Sequence, residues 1–193
     1  MEAAEFTIQN IPAVLYGQSS HDVYLYVHGK CGYKEEAKKF PKSLDPAEIE
    51  KELKLGRRDL RGDTTTTMDG KDTKDIDDAV QDEICPNANF QSTIDIADVS
   101  YYVKSGSKLD KEAITRGTSI YMMNRVIPML PKELSNGICS LNEAQDRFTI
   151  SVVMKIDAKG KVIDADIFKS LIKTTRRMNY HDVNDIFKFA DFN

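Results

Sequence analysis

The chain has 193 residues, 40% of them apolar and 30% charged, which suits one ordinary globular domain or one domain with a piece of another. No apolar run approaches the ~20 residues that span a membrane, and Met1 to Asn10 holds no basic segment leading into an apolar one, so a cytoplasmic location is expected. The net charge of −4 argues against bulk affinity for nucleic acid, and Cys31, Cys85 and Cys139 lie too far apart for a zinc site or a disulfide framework.

In chain order, Asp22 to His28 alternates apolar and polar residues, but seven residues do not separate a strand from a helix. Asp45-Pro46-Ala47-Glu48 combines a capping residue, a proline at the first helical position and a glutamate at the third, which predicts a short helix through about Leu53. Arg57, Arg58 and Arg61 follow as a basic cluster whose default reading is a solvated face. Thr64 to Met68 reads as a strand with Asp69-Gly70 as its turn, and Ser92 to Val99 as a second strand carrying Asp95 and Asp98. Asp110 is the expected cap of a helix through Asn124, with Ala113, Ile114, Gly117 and Tyr121 at helical spacing on one side.

Beyond the proline-rich stretch Ile127 to Pro131, the segments Arg147 to Asp157 and Lys161 to Ile172 form a predicted hairpin turned by Lys159-Gly160. Lys169, Lys173, Arg176 and Arg177 make a second basic cluster, again solvated by default, and a last helix starts after Asn179. The layout is α+β, with no internal repeat.

One run stands apart: Asp69, Asp75, Asp77 and Asp78 put four carboxylates into ten residues. Two carboxylates ~4 Å apart repel by about 1 kcal/mol even at the dielectric of water, so four together call for a shared proton or a divalent cation. Oxygen-only ligands favour Mg²⁺ or Mn²⁺, and Mg²⁺ on a few carboxylates completes its shell with water and substrate phosphate. The ordinary alternative is a solvated acidic loop, but Thr64 to Met68, Ile76, Ala79 and Val80 frame the run with apolar and β-branched residues. An EF-hand loop fails, because a start at Asp75 puts Ala79 at the fifth position and Val80 at the sixth.

The run Asp69 to Val80, then Ile96 to Val103, Gly117 to Tyr121, Arg125 to Pro131 and Leu134 to Leu141 occur in one order along the chain. Together they resemble the first part of the RNB catalytic domain shared by the ribonuclease II and ribonuclease R family, in the order seen in its ribonuclease R branch. The likeness runs from about Gly56 to Ile186. It implies a partial RNB-type fold, a mixed and mainly antiparallel sheet with flanking helices over 56–193, preceded in 1–55 by the remnant of a cold-shock-like domain and a helical linker. The activity it implies is Mg²⁺-dependent (or Mn²⁺-dependent) 3′→5′ hydrolysis of single-stranded RNA to nucleoside 5′-monophosphates, by a monomer without a membrane partner.

Carried over by the same resemblance, Asp69 and Asp78 are the principal metal ligands, Asp75 an auxiliary ligand and catalytic residue, and Asp77 the carboxylate most critical to the chemical step. Neighbouring residues on a flat strand point to opposite faces, so Asp77 and Asp78 are expected in a loop or turn. Tyr121 and Tyr180 match aromatics that stack on RNA bases. For Tyr121 the alternative from sequence is a core tyrosine on an amphipathic helix. Asp95 stands where the family often has histidine, and Gln81 to Thr93 is compressed, which puts the local strand in doubt. The family's phosphate-contacting arginine and S1 domain have no counterpart in the chain. A truncated protein is therefore expected, weak or inactive alone, with exposed core faces, and acting at the least as a metal- or RNA-binding module.

Overall fold

A computed structural model describes residues 36–85, 89–122 and 125–189. The alternating stretch Asp22 to His28, Cys31 and most of the proposed cold-shock remnant lie outside these residues. The chain divides into two compact units, residues 1–40 with 100–135 and residues 41–99 with 136–193.

The second unit opens with helix α1 (Pro46–Lys54), where the Asp45 side chain accepts from the Ala47 N–H, as the Asp-Pro-Ala-Glu signal predicts. Its strands are β1 (Arg58–Asp59), β2 (Thr66–Asp69), β3 (Asp78–Ile84), β4 (Phe90–Ala97), β7 (Asp146–Ile156), β8 (Val162–Lys173) and β9 (Arg176–Asn179). They form one seven-stranded sheet in the order β1-β8-β7-β4-β3-β2-β9. The pairs β1–β8 and β2–β9 are parallel and the other four antiparallel, so the sheet is mixed and mainly antiparallel. The predicted β7–β8 hairpin is present, with the Asp157 carboxylate accepting from the Lys159 and Lys161 N–H groups across the turn. The compressed segment after Gln81 keeps its strand: β3 and β4 pair residue for residue from Asp78↔Ile96 to Ile84↔Phe90.

The connections show that this sheet is strongly curled. Lys173 ends β8 beside one edge and Arg176 begins β9 at the other edge, three residues on. Three Cα steps reach at most ~11 Å, whereas five strand spacings across a flat sheet need ~24 Å. On the inner face lie Thr65, Thr67, Ala79, Thr93, Asp95, Ala97, Thr149, Ser151 and Ser170, all buried. The interior is thus built of small and polar residues. Ile84, Phe90, Ile96 and Ile167 point the other way and are exposed.

A polar chain crosses the inner face. Gln81 Nε2 donates to Asp95 at 2.6 Å, Ser151 Oγ donates to the other Asp95 oxygen, and Ser170 Oγ bonds both Ser151 and Thr149. Burial pushes the Asp95 carboxyl above the usual carboxylate range, against the pull of its Ser151 and Gln81 bonds. The buried Asp95 carboxyl is thus held by bonds from Gln81 and Ser151. Helix α4 (Tyr180–Phe189) closes the unit where the sequence places it.

The first unit holds most of the one-turn helix α2 (Val99–Tyr102), then α3 (Lys108–Arg116) and the two-stranded β5 (Ile120–Met122) and β6 (Arg125–Ile127). Here the sequence reading needs correction. The cap of α3 is Ser107, which accepts from the Asp110 N–H, while the Asp110 carboxylate reaches back to the Gly106 N–H. The helix stops at Gly117, whose φ of 69° suits a left-handed terminus. Tyr121 consequently lies on a strand, not on the predicted helix through Asn124.

Arg57 also departs from expectation. It is 4% exposed, donating to Asp98 at 2.8 Å, to the Thr149 and Ser170 carbonyls and to Glu52, with its guanidinium over the Phe148 ring. Arg58 and Arg61 keep to the surface, paired with Asp166 and with Asp59 and Asp146. Cys139 is buried and its thiol is pushed up to about 12, which makes it inert. Among the described residues no helix is long and apolar enough to cross a membrane.

Candidate metal centre

The acidic run forms the connection between β2 and β3. Asp69 is the last residue of β2, opposite Asn179 of β9, and Asp78 is the first of β3. Only Asp75 and Asp77 of the four therefore lie wholly in the loop, and the Asp77–Asp78 pair sits where loop becomes strand.

A turn at Gly70, closed by the Thr73 N–H, begins the loop, and Ile76, fully buried, plugs it into the core. Ser140 Oγ accepts from the Ile76 N–H at 3.2 Å and donates to the Lys74 carbonyl at 2.9 Å. The Leu141 N–H donates to the Ile76 carbonyl at 2.8 Å, and the Ala97 N–H to the Asp77 carbonyl at 2.9 Å. From β9, Arg177 donates to the carbonyls of Lys71 and Thr73. Its own N–H is fixed by Glu143 at 2.8 Å. The backbone that carries the carboxylates is thus tied down at five residues.

The carboxylates themselves are left open. Asp75, Asp77 and Asp78 are exposed and Asp69 is half-buried, and among the described residues none of the four forms an ion pair within 4.0 Å. Burial, then the charges of Asp78, Asp77 and Asp75, raises the Asp69 pKa against the opposing pull of Arg177. Burial, then Asp78 and Asp75, raises Asp77, with its own backbone N–H opposing. The four groups therefore feel one another, as the repulsion argument requires.

Among the described residues no three carboxylate, imidazole or thiol groups converge tightly enough to form a ready-made ligand shell. The donor set nonetheless fits a hard divalent cation. Every candidate ligand is a carboxylate oxygen, and among the described residues Asp69 Oδ2 is buried without a hydrogen-bond partner. Mg²⁺ needs only one or two carboxylates beside water and phosphate oxygens.

Tyr180 begins α4, directly after the Asn179 that pairs with Asp69, and is 61% exposed, so the fold carries an open aromatic ring next to the acidic strand end. Tyr121 is 67% exposed, which removes the core alternative for it. Sequence reasoning missed the residues that hold the loop. Ser140 carried no signal of its own, and Arg177 was masked by the basic cluster around it, although its alternation with Asn179 on β9 marks both as sharing one face.

Comparison with known proteins gives the family. The family model described as the RNB domain matches residues 57–191. Ribonuclease R of Thermotoga maritima is 53% identical over 140 residues, which covers 72% of this chain and 20% of that protein. Ribonuclease R 2 of Lactococcus lactis is 48% identical over 149 residues, covering 77% and 22%. The structure of Mycoplasma genitalium RNase R in complex with ribose methylated single-stranded RNA superposes with a TM-score of 0.73 at 33% identity, over 82% of this chain and 24% of that one. The chain spans about a fifth of the length of the curated relatives it matches. Because the RNB domain model matches well over half of the chain, the chain belongs to the RNB domain family, of which it carries a part.

Proposed function

We propose that this chain carries the acidic centre of a metal-dependent 3′→5′ exoribonuclease that hydrolyses single-stranded RNA to nucleoside 5′-monophosphates. The observation that carries this reading is the loop from Asp69 to Asp78, whose backbone is clamped by Ser140, Leu141, Ala97 and Arg177 while Asp69, Asp75, Asp77 and Asp78 form no ion pair among the described residues. Asp69 and Asp78 would hold Mg²⁺ or Mn²⁺, with Asp75 as a further ligand. The chemistry such ions supply, when bound, is neutralisation of phosphate charge and a lower pKa for a water molecule.

The protein's own groups do the rest. Asp77, whose carboxyl is raised by burial and by the charges of Asp78 and Asp75, is the carboxylate that would serve the chemical step. Arg177 restrains the loop by its two carbonyl contacts and offsets part of its charge at Asp69. Tyr180 and Tyr121 present exposed rings on which bases can stack at roughly 1–3 kcal/mol each, a contact indifferent to sequence. A cytoplasmic, monomeric protein acting on RNA agrees with this assignment.

Incubation of uniformly labelled single-stranded RNA with Mg²⁺ tests the proposal. The chain alone is expected to release nucleoside 5′-monophosphates from the 3′ end only weakly, and Asp77→Asn should abolish what release there is. Internal cleavage, or release that survives Asp77→Asn, would overturn it. RNA or metal binding without any release would leave the chain a binding module.

A further inference from the structure

We infer that the inner face of the sheet holds a file of buried water molecules running from Asp69 past Thr67 and Thr65 to a polar cleft at the far end of β2. Thr65 and Thr67 are both fully buried, and among the described residues neither hydroxyl has a hydrogen-bond partner, nor has Asp69 Oδ2. Thr67 and Asp69 alternate onto one side of β2, and Thr65, the residue before the strand, is two residues from Thr67, a spacing of ~6.7 Å along extended chain. One water spans at most ~5.6 Å between two oxygens and two waters in series at most ~8.4 Å, so a residue spacing of ~6.7 Å takes one or two bridging waters.

The path continues beyond β2. Thr66 pairs with Val80, so one step along the antiparallel register Thr65 faces Gln81. Gln81 lines a cleft of about 610 Å³ together with Thr64, Asp63, Gln91 and Thr93. Thr93 is only 6% exposed on this inner face and opens on the same cleft. The residue beside Thr67 across the strands is Ala79, and that beside Asp77 is Ala97, so small side chains leave room along the route.

Buried hydroxyls are almost always satisfied, and a polar, roomy interior satisfies them with water making about three hydrogen bonds. A dry file would leave three consecutive inward oxygens unsatisfied. On the nuclease reading, on which this role rests, the file lets water and protons pass between the carboxylate centre and solvent at the cleft.

Two measurements on the intact chain test the water sites without reference to catalysis. A crystal structure at about 1.5 Å should place ordered water at hydrogen-bond distance, ~2.8 Å, from both Thr65 Oγ1 and Thr67 Oγ1. Thr67→Val replaces the hydroxyl by a methyl of the same shape. If the hydroxyl anchors water, the melting temperature falls by about 3–6 °C. If it is dry, removing an unsatisfied hydroxyl raises the melting temperature. An unchanged or raised temperature, or density without water at the two hydroxyls, overturns the inference whether or not the chain cleaves RNA.

Discussion

Ser140→Ala removes one oxygen that serves two backbone groups of the acidic loop. Its hydroxyl accepts from the buried Ile76 N–H and donates to the Lys74 carbonyl, and Ser140 is itself 1% exposed. An unsatisfied buried donor costs about 1–3 kcal/mol, while the less buried Lys74 carbonyl can turn to water, so the summed loss is about 2–3 kcal/mol. At roughly 2–4 °C per kcal/mol for a chain of this size, the melting temperature falls by about 4–12 °C. The backbone contact from Arg147 Nε to the Ser140 carbonyl at 2.8 Å is untouched, so the loss belongs to the hydroxyl alone. Because the loop carries the carboxylates, Mn²⁺ affinity weakens alongside stability. Urea denaturation and Mn²⁺ titration of the two proteins measure both effects, and a variant within about 0.5 kcal/mol of the parent would refute the clamp.

Two further outcomes follow from the buried charges. Asp98→Ala removes the carboxylate that pairs with the buried Arg57 guanidinium at 2.8 Å and should cost about 3 kcal/mol by urea denaturation. Asp166→Ala, which removes the exposed partner of Arg58, should stay within about 0.5 kcal/mol, and equal losses would contradict the distinction. Asp95 binds its proton more tightly folded than unfolded. Its contribution to stability is therefore complete below the ordinary value of 3.8 and is lost as pH rises through the raised folded pKa. Asp95→Asn, which keeps the shape and stays neutral, should flatten the fall of melting temperature with pH across that window. Parallel pH profiles for the two proteins would contradict it.

What was legible in the sequence depended on local signals. Asp45-Pro46 starts α1, Gly160 turns the β7–β8 hairpin and the four aspartates mark the loop, because each is decided within a few residues. The strands β1 and β9 have two and four residues and exist through parallel partners about a hundred residues away, which no local pattern encodes. Arg57 looks like its neighbours Arg58 and Arg61 in sequence, yet only Arg57 meets two backbone carbonyls and Asp98 in the core. The end of α3 was misplaced because the side-chain period continues past Gly117, while the left-handed backbone there stops the helix. In the site, the carboxylates could be named from the sequence, but the Ser140 and Arg177 contacts that fix them come from elements 60 to 110 residues away.

Mn²⁺ titration followed by electron paramagnetic resonance bears most directly on the acidic loop as a divalent-cation centre. Asp69→Asn and Asp78→Asn should each weaken Mn²⁺ binding at least tenfold, about 1.4 kcal/mol, and Mg²⁺ should compete for the same site. Asp82→Asn, an exposed carboxylate on β3 outside the loop, should leave the binding unchanged. Equal binding by all four proteins would show that the aspartates from Asp69 to Asp78 form a solvated acidic loop and no metal centre.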